Sequence, residues 1–276
     1  MLIELIKAIF FGIVEGITEW LPISSTGHMI ILNDFIKLGV SEEFYELFEV
    51  VIQLGAIMAV VVMYFKVIFP WGFGKGKKET KETFNLWGKI IVACLPAAVI
   101  GILFDDILDE YLYNSVVVGL MLIIYGIIFI WIESKKVGKQ DTKSLSDITY
   151  KQALGVGLFQ LLSLIPGTSR SGATIIGGLL IGLKRSVAAE FTFFLAIPVM
   201  FGASLLKLVK YVMEVSFVFE AIEVAVLLTG SVVAFVVSIL IIKFLMSYIR
   251  KHDFKAFGYY RIVLGIVVLL YFLILK

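Results

Sequence analysis

The segment Glu15-Gly-Ile-Thr-Glu19-Trp-Leu-Pro22-Ile-Ser24-Ser25-Thr26-Gly27-His28 sets two carboxylates, a run of hydroxyls and an imidazole inside an otherwise hydrophobic stretch. With a helix running to residue 20, Glu15 and Glu19 fall four residues apart and share one face. Pro22 and Gly27 then bracket a short break carrying Ser24, Ser25 and Thr26, with His28 just beyond. Ionisable groups are costly in hydrocarbon, so their presence within a membrane segment marks a functional site by default. The plainer reading, a polar loop ending an ordinary helix, requires this stretch to sit in water.

The rest of the chain argues for hydrocarbon. Of 276 residues, 60% are hydrophobic and only 17% charged, with a mean hydropathy of +1.02. A soluble domain carries about a quarter charged residues, so the chain reads as an integral membrane protein. Its apolar runs are long and continuous rather than alternating, which favours helices over a barrel. A cleavable signal peptide is not expected, because Glu4 and Lys7 interrupt the first apolar run. The net charge of +2 gives no reason to expect nucleic acid. Cys94 is read as a packing thiol and His252 as a surface residue.

Residues 1–32 read as a helix, a break and a short returning helix: a re-entrant hairpin, tolerated at membrane depth only where protein or a cavity surrounds it. Three spans follow, at about 48–69, 90–104 and 114–132, the second shortened by Pro96 and ending in an acidic turn at Asp105, Asp106, Asp109 and Glu110. Residues 152–183 form a second interrupted pair, broken at Pro166-Gly-Thr168-Ser169-Arg170-Ser171-Gly172, before spans at about 187–208, 220–245 and 257–275. Counting crossings puts the lysine-rich loops at 66–89, 133–151, 184–185 and 250–255 on one side and the acidic loops at 33–46 and 105–110 on the other. The positive-inside rule makes the first side cytoplasmic and places both termini outside.

Pairing Pro22 with Pro166 sets Ser24 opposite Thr168 and Ser25 opposite Ser169, and the segment from Phe48 to Leu54 resembles that from Ala189 to Leu195. The expected fold is an all-α polytopic membrane protein with an inverted-topology repeat, each half a re-entrant helix hairpin plus three transmembrane helices. Residues 1–135 and 150–276 are the two repeats of a single membrane domain. Hairpins entering from opposite faces bring Glu15, Glu19, Ser24, Ser25 and His28 next to Ser169, Arg170 and Ser171.

Arg170 among hydroxyls and glycines suits an anion, phosphate above all; its simpler role is to neutralise Glu15 or Glu19. The two glutamates suit Mg²⁺ or Ca²⁺ together with phosphate, or else a proton relay or helix packing. His28 lies three residues beyond Ser25, the pattern of an activated nucleophile. Carboxylates, hydroxyl, imidazole and guanidinium together form a phosphoryl-transfer constellation for a lipid phosphate or diphosphate.

The segments Glu15–His28 and Pro166–Thr174, with Phe48–Gly55, closely resemble the signature motifs of the undecaprenyl-diphosphate phosphatase (bacitracin-resistance) family, and the resemblance extends over essentially the whole chain. It implies metal-dependent removal of the terminal phosphate of undecaprenyl diphosphate at the outer face of the bacterial inner membrane, recycling the carrier lipid for cell-wall synthesis. It places function on Glu15, Glu19, Ser25, His28 and Arg170, with Ser24, Thr26, Ser169 and Ser171 as phosphate contacts, and Thr168 joins them as the partner of Ser24 in the alignment. The expected partners are a polyprenyl diphosphate and membrane lipid, and a homodimer is compatible with the sequence. Histidine-nucleophile lipid phosphatases, whose Ser-Gly-His motif is faintly echoed here, need a second histidine six residues after a Ser-Arg pair; Ile176 stands there. Whether Ser24, Ser25 or water attacks is open at this level. The competing class is a lipid transporter or flippase, since paired midplane breaks also build carriers.

Overall fold

The structure, a computed structural model, describes residues 1–71, 76–135, 141–215 and 219–275, with the side chains of 105, 106, 109, 214, 215 and 275 left aside. Among the described residues there is no strand, only an isolated bridge between Thr142 and Leu183. The helices are α1 (Leu2–Thr18), α2 (Ser25–Phe35), α3 (Glu42–Met63), α4 (Phe65–Ile68), α5 (Lys77–Leu112), α6 (Ser115–Lys135), α7 (Tyr150–Gln160), α8 (Arg170–Ile181), α9 (Arg185–Val215), α10 (Ala221–Tyr248) and α11 (Lys255–Leu270). A 3₁₀ turn at Leu161–Leu164 extends α7, and a π turn at Tyr271–Leu275 extends α11. Among the described residues six helices are long and apolar enough to cross a membrane, within α3, α5, α6, α9, α10 and α11. The chain is an all-α polytopic membrane protein.

Both interrupted segments are present as helix–break–helix units, α1–α2 and α7–α8. The arms are short for a crossing: α2 and α7 have 11 residues and α8 has 12, about 17–18 Å each, and α1 has 17, about 25 Å, against a hydrocarbon core of about 30 Å.

Two boundaries differ from expectation. The second span is one continuous 36-residue helix, α5, with Pro96 inside it. Proline forfeits one backbone hydrogen bond, and the surrounding Ala93, Ala97 and Ala98 are strong helix formers that carry the helix through. The acidic segment 105–110 is therefore helical rather than a turn. The chain reverses instead at residues 113–114, where Asn114 Oδ1 accepts from Val117 N at 3.0 Å. The first span begins at Glu42, because Ser41 caps it by accepting from Phe44 N at 3.1 Å. Glu42 and Glu43 then sit in its first turn, where the helix dipole favours carboxylates. Of the lysines assigned to the basic loops, Lys75, Lys136 and Lys139 lie outside the described residues.

α10 packs against α1 and α3, α7 against α5, and α6 against α11. The α6–α11 seam is antiparallel, since Gly119 meets Gly265 and Gly126 meets Gly258. A Cβ on Gly126 would lie 2.7 Å from the Gly258 carbonyl oxygen, and one on Gly258 2.8 Å from that of Gly126, so only glycine lets these backbones approach so closely. The largest apolar cluster surrounds the two breaks, where Trp20 meets Phe193 edge-on at 5.3 Å. Leu, Ile, Val and Phe side chains exposed along α5, α9, α10 and α11 form the lipid-facing surface.

Candidate active site

Each break ends in a serine with a positive φ immediately before its second helix: Ser24 at φ 73° and Ser169 at φ 70°. Among the described residues these are the only non-glycine residues with positive φ. Such conformations are strained by about 1–3 kcal/mol and cluster at functional sites. Ser169 partly offsets that strain by accepting from Gly172 N at 3.1 Å. The shared conformation makes Ser24 the counterpart of Ser169, not of Thr168, and aligns Ser25 with Arg170 and Gly27 with Gly172. Pairing on the prolines is thus one residue out of register, because the second break holds one more residue between proline and capping serine.

The two tips touch. Arg170 Nη2 donates to Glu19 Oε1 at 2.9 Å, with both side chains nearly buried. Ser25 Oγ donates to the other oxygen, Glu19 Oε2, at 3.0 Å. Ser171 Oγ donates to the Glu19 backbone carbonyl at 3.1 Å and lies 3.1 Å from Ser169 Oγ. Arg170 is aimed from behind: its Nη1 donates to Thr192 O at 3.0 Å, while Thr174 Oγ1 donates to Arg170 O at 2.9 Å. Glu19, Ser25, Arg170, Ser169 and Ser171, drawn from positions up to 152 residues apart, therefore form one connected cluster.

The remaining predicted residues surround this cluster. Glu15 lies one turn before Glu19 and is 1% exposed, with Oε1 lacking any partner. Buried polar atoms without partners also occur at Trp20 Nε1, Ser24 Oγ, Thr168 Oγ1, Arg170 Nε and both amide atoms of Gln160. Native proteins leave few such groups unpaired, and all of these sit at the breaks or on the helices leading into them. Asn33 Oδ1, near the far end of α2, is also without a partner. Thr26, half-buried, lies in the first turn of α2.

His28 is held differently from the expected serine–histidine pair. Its Nδ1 lies 2.7 Å from the Ser24 carbonyl and its Nε2 2.7 Å from the Tyr260 hydroxyl, with the two rings stacked at 5.6 Å. A carbonyl can only accept, so Nδ1 carries the proton and Nε2 accepts from Tyr260. The hydrogen bond of Ser25 goes to Glu19, not to His28.

Sequence reasoning missed Arg261. It is fully buried in α11, and its guanidinium donates to Pro22 O at 3.2 Å, Gly167 O at 2.8 Å and Thr168 O at 2.9 Å. One side chain thus ties the carbonyls of both breaks together. Its signal was visible: a lone arginine inside the apolar run Tyr259–Ile266, where an intramembrane charge calls for an explanation. Gln160, equally buried, was missed as well.

Two carboxylates are the whole of the candidate cation site. Among the described residues no three His, Cys, Asp or Glu side chains converge. Glu15 and Glu19 with their unpartnered oxygen nevertheless suit a hard cation that takes most of its ligands from phosphate and water.

With this geometry in place, comparison with known proteins is informative. Residues 8–267 match the family described as Bacitracin resistance protein BacA. A relative from Acetivibrio thermocellus is 58% identical over 276 residues, the full length of both chains. Another from Enterococcus faecalis is 61% identical over 272 residues, 97% of each chain, and one from Desulfitobacterium hafniense is 60% identical over 273 residues, 98% of this chain and 97% of its own. All three carry the name undecaprenyl-diphosphatase. Matched over nearly its whole length, this chain belongs to the BacA bacitracin resistance family.

Proposed function

We propose that this chain hydrolyses undecaprenyl diphosphate to undecaprenyl phosphate and phosphate, with the chemistry at the contact between the two breaks. The observation that carries the reading is Glu19, whose two oxygens face Ser25 and Arg170 separately. A diphosphate draws the Arg170 guanidinium onto its terminal phosphoryl oxygens, a bidentate fit for which arginine is suited. Glu19 Oε2, which already holds the Ser25 hydroxyl at 3.0 Å, then takes the proton of Ser25 Oγ. The Oγ–P bond forms as the bond from phosphorus to the bridging oxygen breaks, and undecaprenyl phosphate leaves. Water attacks the phosphoserine in turn and releases phosphate. Arg170 and the hydroxyls of Ser24, Thr26, Thr168, Ser169 and Ser171 surround the transferred group, while His28 fixes the Ser24 turn.

A divalent cation, Mg²⁺ or Ca²⁺, would be held by Glu15 and Glu19 and would supply neutralising charge to the phosphate oxygens. On this reading the protein sits in the bacterial inner membrane with the site open to the outer side. The lysines at 66–89, with Lys184 and Arg185, support that orientation. The inverted repeat is supported by packing: exchanging the halves maps the α1–α10 contact onto α7–α5 and returns α3–α9 and α6–α11 to themselves.

The test is phosphate release from undecaprenyl diphosphate by purified protein in detergent, without gradient or sealed membrane. The enzyme reading expects turnover, loss of it in Ser25→Ala, and phosphoserine at residue 25 after rapid quenching. A carrier leaves the diphosphate intact. Full activity in Ser25→Ala with no trapped phosphoserine would assign the attack to water.

A further inference from the structure

The helices that follow the two breaks are buried to very different degrees. α8 has nine of its 12 residues buried, and Ala173, Ile175, Ile176 and Leu179 belong to the largest apolar cluster. α2, in the equivalent place after the first break, buries only Gly27 and Met29 of its 11. The catalytic cluster is therefore enclosed by protein on the α8 side. On the α2 side it reaches the surface of the bundle, where Ser25, Thr26 and His28 are each only partly buried.

The two flanks of α2 differ as well. Toward α6 the contact is tight: a Cβ on Gly27 would lie 3.0 Å from the side chain of Leu122, which is fully buried. Toward α11 the helix is tied near its two ends by tyrosines. Close to the break, the Tyr260 hydroxyl donates to His28 Nε2 at 2.7 Å. At the far end, the Tyr271 hydroxyl donates to Asp34 Oδ2, and its ring meets that of Phe35 at 5.3 Å. Between these ties Ile30 and Ile31 share a small aliphatic cluster with Leu264 and Val268 of α11. Tyr259 and Tyr260 are exposed beside it, on the same stretch of α11 whose Arg261 reaches inward to the breaks.

A prenyl chain leaves hydrocarbon at a cost that grows with every carbon. A diphosphate held at Ser25 must therefore trail its chain through a side of the site that meets lipid. The α8 side is closed and the α6 flank is packed, which leaves the seam between α2 and α11. Tyr260 suits that boundary, with an apolar ring toward lipid and a polar tip on His28.

We propose, on the strength of the phosphatase reading above, that the substrate's prenyl chain is seated along the α2–α11 seam, its first isoprene units against the Tyr260 ring, and that the two tyrosine ties part to admit it. The test uses a prenyl methylenediphosphonate, which cannot be hydrolysed, carrying a diazirine in its first isoprene unit. Irradiated with the full-length protein in detergent, it is expected to label α2 and α11, and excess undecaprenyl diphosphate should remove that labelling. Protectable labelling on α3, α5 or α9 instead, or labelling that undecaprenyl diphosphate leaves unchanged, overturns the proposal. Phe35→Cys with Tyr271→Cys, joined by a reducible bis-thiosulfonate, holds the seam shut at its far end while the buried Cys94 stays in place. Labelling and phosphate release should both fall at least about ten-fold in the linked protein and return on reduction; an unchanged linked protein overturns the parting of the ties. Should the double variant fail to fold, the wild-type labelling pattern decides alone. Protected labelling of the seam without any phosphate release would uphold the seam and overturn the phosphatase reading.

Discussion

Replacing Arg261 with methionine removes the side chain that holds both breaks while preserving the length and apolar packing of its stem. Three backbone carbonyls, those of Pro22, Gly167 and Thr168, lose their donor. An orphaned buried acceptor costs about 1–3 kcal/mol. Against this, deleting a buried guanidinium also removes its own desolvation cost, and the cation–π contact with Tyr125, 5.5 Å from the ring centroid, is lost at little further penalty. The net loosening of one break from the other is about 3 kcal/mol, the lower end of the cost of breaking a buried charged contact. If the productive arrangement of Glu19, Ser25 and Arg170 carries that loss, kcat falls about 100-fold. Arg261 touches backbone rather than the reacting groups, so KM should move much less than kcat. Arg261→Lys, with one donor centre in place of a fork, should fall between. The assay is initial-rate phosphate release in detergent at a temperature well below each variant's Tm. A folded Arg261→Met protein with near wild-type kcat would refute the idea that this residue assembles the site.

Glu19→Gln keeps the shape of the side chain but gives Ser25 no base and Arg170 no counter-charge; kcat should drop about 10²–10⁴-fold, read as the rate of phosphate release. Tyr260→Phe removes the donor to His28 Nε2, worth about 0.5–1.5 kcal/mol. The expected cost is roughly 2–10-fold in kcat/KM with a shifted pH–rate profile, and an unchanged profile would show that the imidazole is not set by this contact. Chelation with EDTA should abolish turnover and added Mg²⁺ or Ca²⁺ restore it, with Glu15→Gln needing more metal than wild type in the same titration.

Much of this architecture was legible because the physical constraints on it are severe. Two runs of polar groups inside apolar sequence, each carrying proline and glycine, have no stable place in lipid except as paired breaks, and both are present at the expected positions. The meeting of Arg170 with Glu19 followed from the same reasoning, and the simpler neutralising role weighed for Arg170 is the pairing the structure shows. What failed were decisions that depend on three-dimensional neighbours. Pro96 was taken to shorten its span, yet a helix with good formers on both sides absorbs one missing hydrogen bond. The one-residue register error arose because proline identity is a weaker marker of equivalence than backbone conformation; the positive φ shared by Ser24 and Ser169 is invisible in sequence. Spacing placed His28 near Ser25, but the helix turn beginning at Ser25 points the imidazole back to the Ser24 carbonyl and across to Tyr260.

Arg261 shows where such reading stops and why. Its partners are carbonyls, which leave no trace in side-chain identity, and they come from two loops and a neighbouring helix far away in the chain. A buried guanidinium whose hydrogen bonds all go to carbonyls does not compete with Arg170 for the oxygens of Glu19. That separates two tasks that Arg170 could not perform together. In the proposed mechanism Arg261 holds the tips through backbone carbonyls, which leaves Arg170 free to exchange Glu19 for an incoming phosphate. A site built on one arginine would have to choose between staying assembled and releasing its carboxylate. Dividing the roles between two lets the same contact be rigid in position and labile in its charge pairing.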